Sequence, residues 1–202
     1  MAFIELPDVQ DVDGEAAEMF ASDQRALGYV ANLTRLFALR PAVYQAWRQL
    51  SQAVRANMDP REYELATLAA ARTLRSSYCT LAHGKVLRDR FYDADTVAGL
   101  VTDHRQAGLD QADVAVMDFA GKVAADAASV TAADVATLRA TGRPDDAILD
   151  VALAAAARCF FSTVLEAMGT EPDAAYRAGL EPGLRQALTV GRPIPPSPAG
   201  EG

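Results

Sequence analysis

Asp59-Pro60-Arg61-Glu62-Tyr63-Glu64-Leu65-Ala66-Thr67-Leu68-Ala69-Ala70-Ala71-Arg72-Thr73-Leu74-Arg75-Ser76-Ser77-Tyr78-Cys79-Thr80-Leu81-Ala82-His83 decides the architecture, because it carries two helix starts and a break between them. Asp59, Pro60 and Glu62 combine an N-cap, a first-turn proline and an acid three residues on. They open a helix in which Leu65, Leu68, Ala69 and Arg72 share a side. If that helix ran on unbroken, Glu64 and Cys79 would stand about 22 Å apart, too far to cooperate. A break at Leu74-Arg75-Ser76-Ser77 instead returns the chain alongside. Ser76 or Ser77 then serves as N-cap for a second helix with Cys79 in its first turn and His83 one turn later. Both the helix start and the nearby imidazole favour a thiolate, the reactive form of cysteine. Read without context, such a pair is as readily a buried apolar thiol and a hydrogen-bonded ring, and Glu64 a surface or salt-bridged acid.

Outward from this stretch the pattern stays helical. Pro41 suits a first helical position, and Val43, Trp47, Leu50 and Val54 follow as one expected apolar face. Thr131 caps a helix through Val135 and Leu138 that Gly142 ends, and an Ala-rich helix runs from about Asp145 to Met168, stopped by Gly169. Further helices are expected at about 13–27, 94–105 and 111–126. Strand signals are nearly absent, so the expected fold is an antiparallel all-α assembly over residues 1–190. The Pro-rich residues 191–202 are expected to form an extended or disordered tail.

Composition narrows the function classes. The 202 residues are 50% hydrophobic and 23% charged, with 27 acidic against 19 basic side chains and a formal charge of −8. This balance describes a globular chain and gives no basic stripe for nucleic acid or a membrane surface. The most apolar stretch, Val151–Ala157, ends at Arg158 and falls short of a bilayer span. Two cysteines 80 positions apart make no disulfide framework, and with no signal sequence visible a cytoplasmic location is expected. Cys79 and His83 lack the further ligands of a zinc site, so no metal or cofactor is expected. Cys159, within Ala154–Phe161, reads as a buried core thiol, and His104 as a solvated residue near a helix end. Tyr78 either shapes a site mouth or packs.

Glu64, Ser76, Cys79 and His83 match the spacing Glu-x11-Cys-x2-Cys-x3-His, in which the chain resembles the alkylhydroperoxidase D and carboxymuconolactone decarboxylase superfamily. Tyr29-Val30-Ala31-Asn32-Leu33-Thr34-Arg35-Leu36, Arg40-Pro41, Ser129-Val130-Thr131 and Leu165-Glu166-Ala167-Met168-Gly169 resemble flanking segments of its peroxidase-related branch. The resemblance implies an AhpD-like helical fold, commonly a homo-oligomer, and reduction of small-molecule hydroperoxides. In that reading Cys79 attacks the peroxide and becomes a sulfenic acid, while His83 and Glu64 relay the proton. Two departures matter. Ser76 replaces the resolving cysteine, so turnover requires an external thiol or another cysteine. Phe161-Ser162-Thr163-Val164 stands where the branch implies an Asn-Arg pair, removing a charge partner. Two alternatives remain. One is acid–base catalysis of the lactone-decarboxylase kind by His83 and Glu64, with Arg72, Arg75 or Lys85 holding a substrate carboxylate. The other is a non-catalytic oligomeric binding module.

Overall fold

The computed structural model describes residues 2–196. Its α-helices are, in order, α1 (Gly14–Leu27), α2 (Asn32–Phe37), α3 (Pro41–Arg55), α4 (Pro60–Thr73), α5 (Ser77–Arg90), α6 (Ala94–Asp103), α7 (Gln111–Asp126), α8 (Ala132–Ala140), α9 (Asp145–Ala167), α10 (Tyr176–Gly179) and α11 (Pro182–Leu188). No strand occurs among the described residues. The caps expected from sequence are present. The Asp59 carboxylate accepts the Arg61 and Glu62 N–H groups, and Thr131 forms a capping box with Asp134.

α4 is the hub. Every residue from Tyr63 to Ala71 is buried, including Leu65, Leu68 and Ala69, because α7, α5 and α9 pack around it. Small side chains at Ala66, Ala69, Ala70 and Ala71 let these neighbours approach closely. A second apolar cluster, built from Phe20, Phe37, Tyr78, Phe161 and Leu165, surrounds Cys79.

The inward face of α3 differs from the one the spacing suggested. Val54 is buried and Trp47 packs inward, but Val43 and Leu50 are exposed. Tyr44, Trp47, Ser51 and Val54 meet the body instead, at spacings of three, four and three. Ring stacking draws the helix round to this face: Trp47 lies 4.0 Å from Phe161, and Tyr44 5.2 Å from Phe37, centroid to centroid.

At 23 residues α9 has the length and hydropathy of a membrane span, beyond what Val151–Ala157 alone indicated. It nevertheless packs against α4, α7 and α3, and Ala154, Ala155, Arg158, Phe161 and Leu165 form its inward face. Leu149, Leu153 and Phe160 on its outer side are exposed.

The joint between α4 and α5 is a Schellman-type stop. Ser76 N–H donates to the Ala71 carbonyl and Arg75 N–H to that of Arg72, both at 3.0 Å. Arg75 takes the left-handed position at φ 54°, where glycine is the usual residue. The segment after α11 lies against this joint. Gly191 N–H donates to Ser77 Oγ at 2.7 Å, and Arg177 holds the Ile194 and Pro195 carbonyls. Residues 191–196 are thus extended but docked, with Ile194 buried; the rest of the expected tail lies outside the described residues. A Cβ on Gly191 would fall 2.0 Å from the Arg75 carbonyl oxygen, a backbone atom that has little room to move. Gly191→Ala is therefore expected to unseat this strap and lower stability by about 1–3 kcal/mol, measured as a denaturant-midpoint shift.

Candidate active site

The return of α5 alongside α4 brings Glu64 and His83 together. His83 Nδ1 lies 2.5 Å from Glu64 Oε2 and 3.2 Å from Thr67 Oγ1. Glu64 is buried, and the His83 side chain is 13% exposed. Burial alone would raise the Glu64 pKa, but attraction and the hydrogen bond from His83, with Arg55 and Arg158 nearby, bring it below the ordinary carboxylate range. Burial, with repulsion from Arg158, pushes His83 below its usual value despite Glu64. The consistent state at neutral pH is a carboxylate accepting Nδ1–H from a neutral imidazole, which leaves Nε2 as the proton acceptor.

Both shifts have the same consequence for stability. In each case the unfolded chain takes up a proton at higher pH than the folded one. This pair's contribution is therefore expected to fall as pH drops from about 6.5 through about 4. Denaturant midpoints measured across that range should show a flatter pH slope in Glu64→Gln/His83→Gln than in the parent.

Cys79 sits in the third position of α5 and is 2% exposed. Its hydrogen-bond partner is not the imidazole, which is drawn to Glu64, but Arg158, whose Nη1 donates to Sγ at 3.5 Å. Arg158 is 5% exposed, with its guanidinium 5.9 Å from the Trp47 ring centroid and 5.5 Å from that of Phe161. Burial works against its charge, but Cys79 and Tyr63 outweigh that and keep it cationic. The charge partner missing from positions 161–164 is thus supplied from one turn earlier on α9. Sequence reading missed this residue. Its signal was an arginine on the inward face of an otherwise apolar helix, which needs a polar partner to be buried there.

Ser76 occupies the N-cap position of α5, yet its side chain makes no capping bond. Among the described residues its Oγ is buried without a partner, as are Ser162 Oγ, Arg158 Nε and Trp47 Nε1. Cys159 is only partly buried, since it lies about 100° round α9 from the inward-facing Arg158. His104 is not solvated: it is buried, with Nε2 2.8 Å from Asp118 Oδ1 and Arg72 beside Nδ1. Tyr78 packs in the cluster around Cys79 and donates to Asp173 at 2.5 Å. The cations expected nearby are used elsewhere. Arg72 donates to the Leu100 and Val101 carbonyls, Arg75 to that of Val190, and Lys85 pairs with Asp89.

The helical scaffold that carries this thiol, its neighbouring cation and the imidazole–carboxylate pair is an all-α fold of the AhpD-like kind. Residues 41–120 match the carboxymuconolactone decarboxylase family, and no curated protein sequence matches the chain. Two similar solved structures are peroxidase-related proteins. One, an alkylhydroperoxidase AhpD core protein from Ralstonia eutropha JMP134, is 21% identical, with 95% of this chain and 98% of that chain covered and a TM-score of 0.76. The other, from Silicibacter sp. TM1040, is 25% identical, with 87% and 93% covered and a TM-score of 0.78. The debrominase Bmp8 in complex with 2,3,4-tribromopyrrole shares the fold at 16% identity, with 88% and 95% covered and a TM-score of 0.71. The match over residues 41–120 and the shared helical fold are what this chain has in common with these proteins.

Proposed function

We propose that the protein reduces hydroperoxides through the single thiol of Cys79. The observation that carries this reading is the Arg158 guanidinium at the Cys79 sulfur, a buried cation placed where a thiolate would be stabilised. Neutral His83 takes the thiol proton at Nε2 while Glu64 holds Nδ1–H. The sulfur then attacks the distal peroxide oxygen and the O–O bond breaks. The departing alkoxide takes the proton back from His83, which leaves an alcohol and Cys79 sulfenic acid.

Ser76 cannot form a disulfide, so an external thiol completes the cycle. A first thiol condenses with the sulfenic acid to a mixed disulfide and water, and a second releases Cys79 with formation of the external disulfide. No resident cofactor enters these steps. The exposed Leu149, Leu153 and Phe160 of α9, with Val43 and Leu50 of α3, support self-association as a homo-oligomer.

The test is direct. After treatment with a hydroperoxide, a sulfenic-acid-specific dione is expected to label Cys79 and leave Cys159 unlabelled when the adducts are mapped. Labelling on Cys159 alone, or none with peroxide untouched, removes this reading.

A further inference from the structure

An open cavity of about 740 Å³ runs along α3, where the inward-packed Tyr44, Trp47 and Ser51 meet the exposed Arg48, Gln52 and Arg55. Its chemistry contrasts with the rest of the molecule. The chain carries a net charge of −8, yet this lining has two arginines, three glutamines and no acid. A larger groove along the amino-terminal segment is lined instead by Glu5, Asp8, Glu171 and Asp173 with a single arginine, Arg35. Arg35 is already paired with Asp8.

Arg48 and Arg55 are in a different condition. Among the described residues neither makes an ion pair; each lies over an aromatic ring, Arg48 5.9 Å from the Tyr44 centroid and Arg55 5.1 Å from that of Tyr63. They are seven positions apart, two turns on one face of α3. Stacking on a ring holds a guanidinium's plane and leaves its N–H edge free for a planar anion.

Two lining residues connect the cavity to the reactive groups. Trp47 carries the Arg158 guanidinium against its ring, and Arg158 donates to Cys79 Sγ. Ser51 Oγ is 3.2 Å from Tyr63 OH, and the Tyr63 ring lies edge-on to His83 at 6.3 Å. Trp47 Nε1 is a buried donor without a partner among the described residues.

We infer that this cavity binds the carboxylate of an organic hydroperoxide through Arg48 and Arg55, so that the substrate class is acidic hydroperoxides rather than neutral ones. The inference rests on the peroxide-reducing reading and names its substrate. An aromatic or branched body lies against Tyr44 and Trp47 while the carboxylate takes the two guanidinium edges.

Trp47 is the only tryptophan in the chain, so tryptophan emission reports on this cavity and on the adjoining Phe161 and Arg158 contacts. Binding is measured with para-isopropylbenzoate against para-isopropylbenzamide, which have the same body with and without charge. The acid is expected to quench or shift Trp47 emission with an affinity about tenfold or more above the amide, and the gap should narrow as salt rises. In Arg48→Gln/Arg55→Gln the two affinities should converge to within about twofold, with Arg48→Lys/Arg55→Lys retaining part of the gap. Turnover is compared as the ratio of kcat/KM for para-carboxycumene hydroperoxide to that for cumene hydroperoxide. This ratio is expected at about tenfold in the parent and near one in the glutamine variant.

Equal affinity for acid and amide, or a preference that survives the glutamine variant, overturns the inference even when both peroxides are reduced. Acid binding that collapses in the variant while neither peroxide is consumed upholds the anion site and removes the peroxide-reducing reading instead.

Discussion

Replacing Arg158 by methionine is expected to leave the protein as stable or more stable while peroxide consumption falls roughly 10- to 100-fold. The two effects have opposite signs because the guanidinium serves the sulfur and not the fold. Arg158 is 5% exposed, and among the described residues it makes no direct ion pair with a carboxylate and its Nε has no hydrogen-bond partner. Desolvating a cation that makes no direct ion pair is expensive, and an apolar side chain of similar length removes that cost, worth on the order of 1–3 kcal/mol. Methionine also fits against Trp47 and Phe161, the two rings that flank the guanidinium. The loss is chemical. A charge-assisted hydrogen bond to an anion contributes about 1.5–3 kcal/mol, which corresponds to the stated fall in rate. Thermal unfolding and initial peroxide-consumption rates measure both sides. Unchanged consumption in a folded variant would show that the thiol does not depend on this cation.

Cys79→Ser is expected to reduce peroxide consumption to the uncatalysed background, a loss greater than about 1,000-fold, because a serine hydroxyl has neither the acidity nor the nucleophilicity of a thiol. His83→Gln should lose less, about 100-fold, since it removes proton transfer but leaves the sulfur and its cation. The ordering separates two chemistries. An acid–base enzyme of the lactone-decarboxylase kind would tolerate Cys79→Ser and fail in His83→Gln. Serine is close to cysteine in size, so the cluster of Phe20, Phe37, Tyr78 and Phe161 around it should keep its packing. Matching circular dichroism and melting profiles for the parent and both variants make the rates comparable.

The parts legible in the sequence were those fixed by local geometry. Asp59, Pro60 and Thr131 mark helix starts by satisfying or omitting backbone N–H groups, and the structure has helices there. The meeting of Glu64 with His83 followed from two helices and a break at Leu74–Ser77, and the break is present. What sequence reading missed depended on packing between distant segments. Arg158 is 79 positions from Cys79, and its place in an apolar run signals a buried polar contact without saying which distant group makes it. The face of α3 was assigned by counting apolar residues, yet stacking among Tyr44, Trp47, Phe37 and Phe161 set the rotation. His104 read as a terminal residue, but Asp118 and Arg72 from two other helices enclose it.

The left-handed turn at Arg75 gives the spacing from Glu64 to His83 a mechanical meaning. Each residue added to or removed from that corner rotates everything beyond it by about 100° and advances it 1.5 Å, so a single insertion would swing the imidazole off the carboxylate and the sulfur off the guanidinium together. Variation in length at this corner is therefore ruled out even where variation in residue type is tolerated. Lineages that keep the chemistry should differ in the outer side chains of the two helices long before they differ in the count of residues joining them.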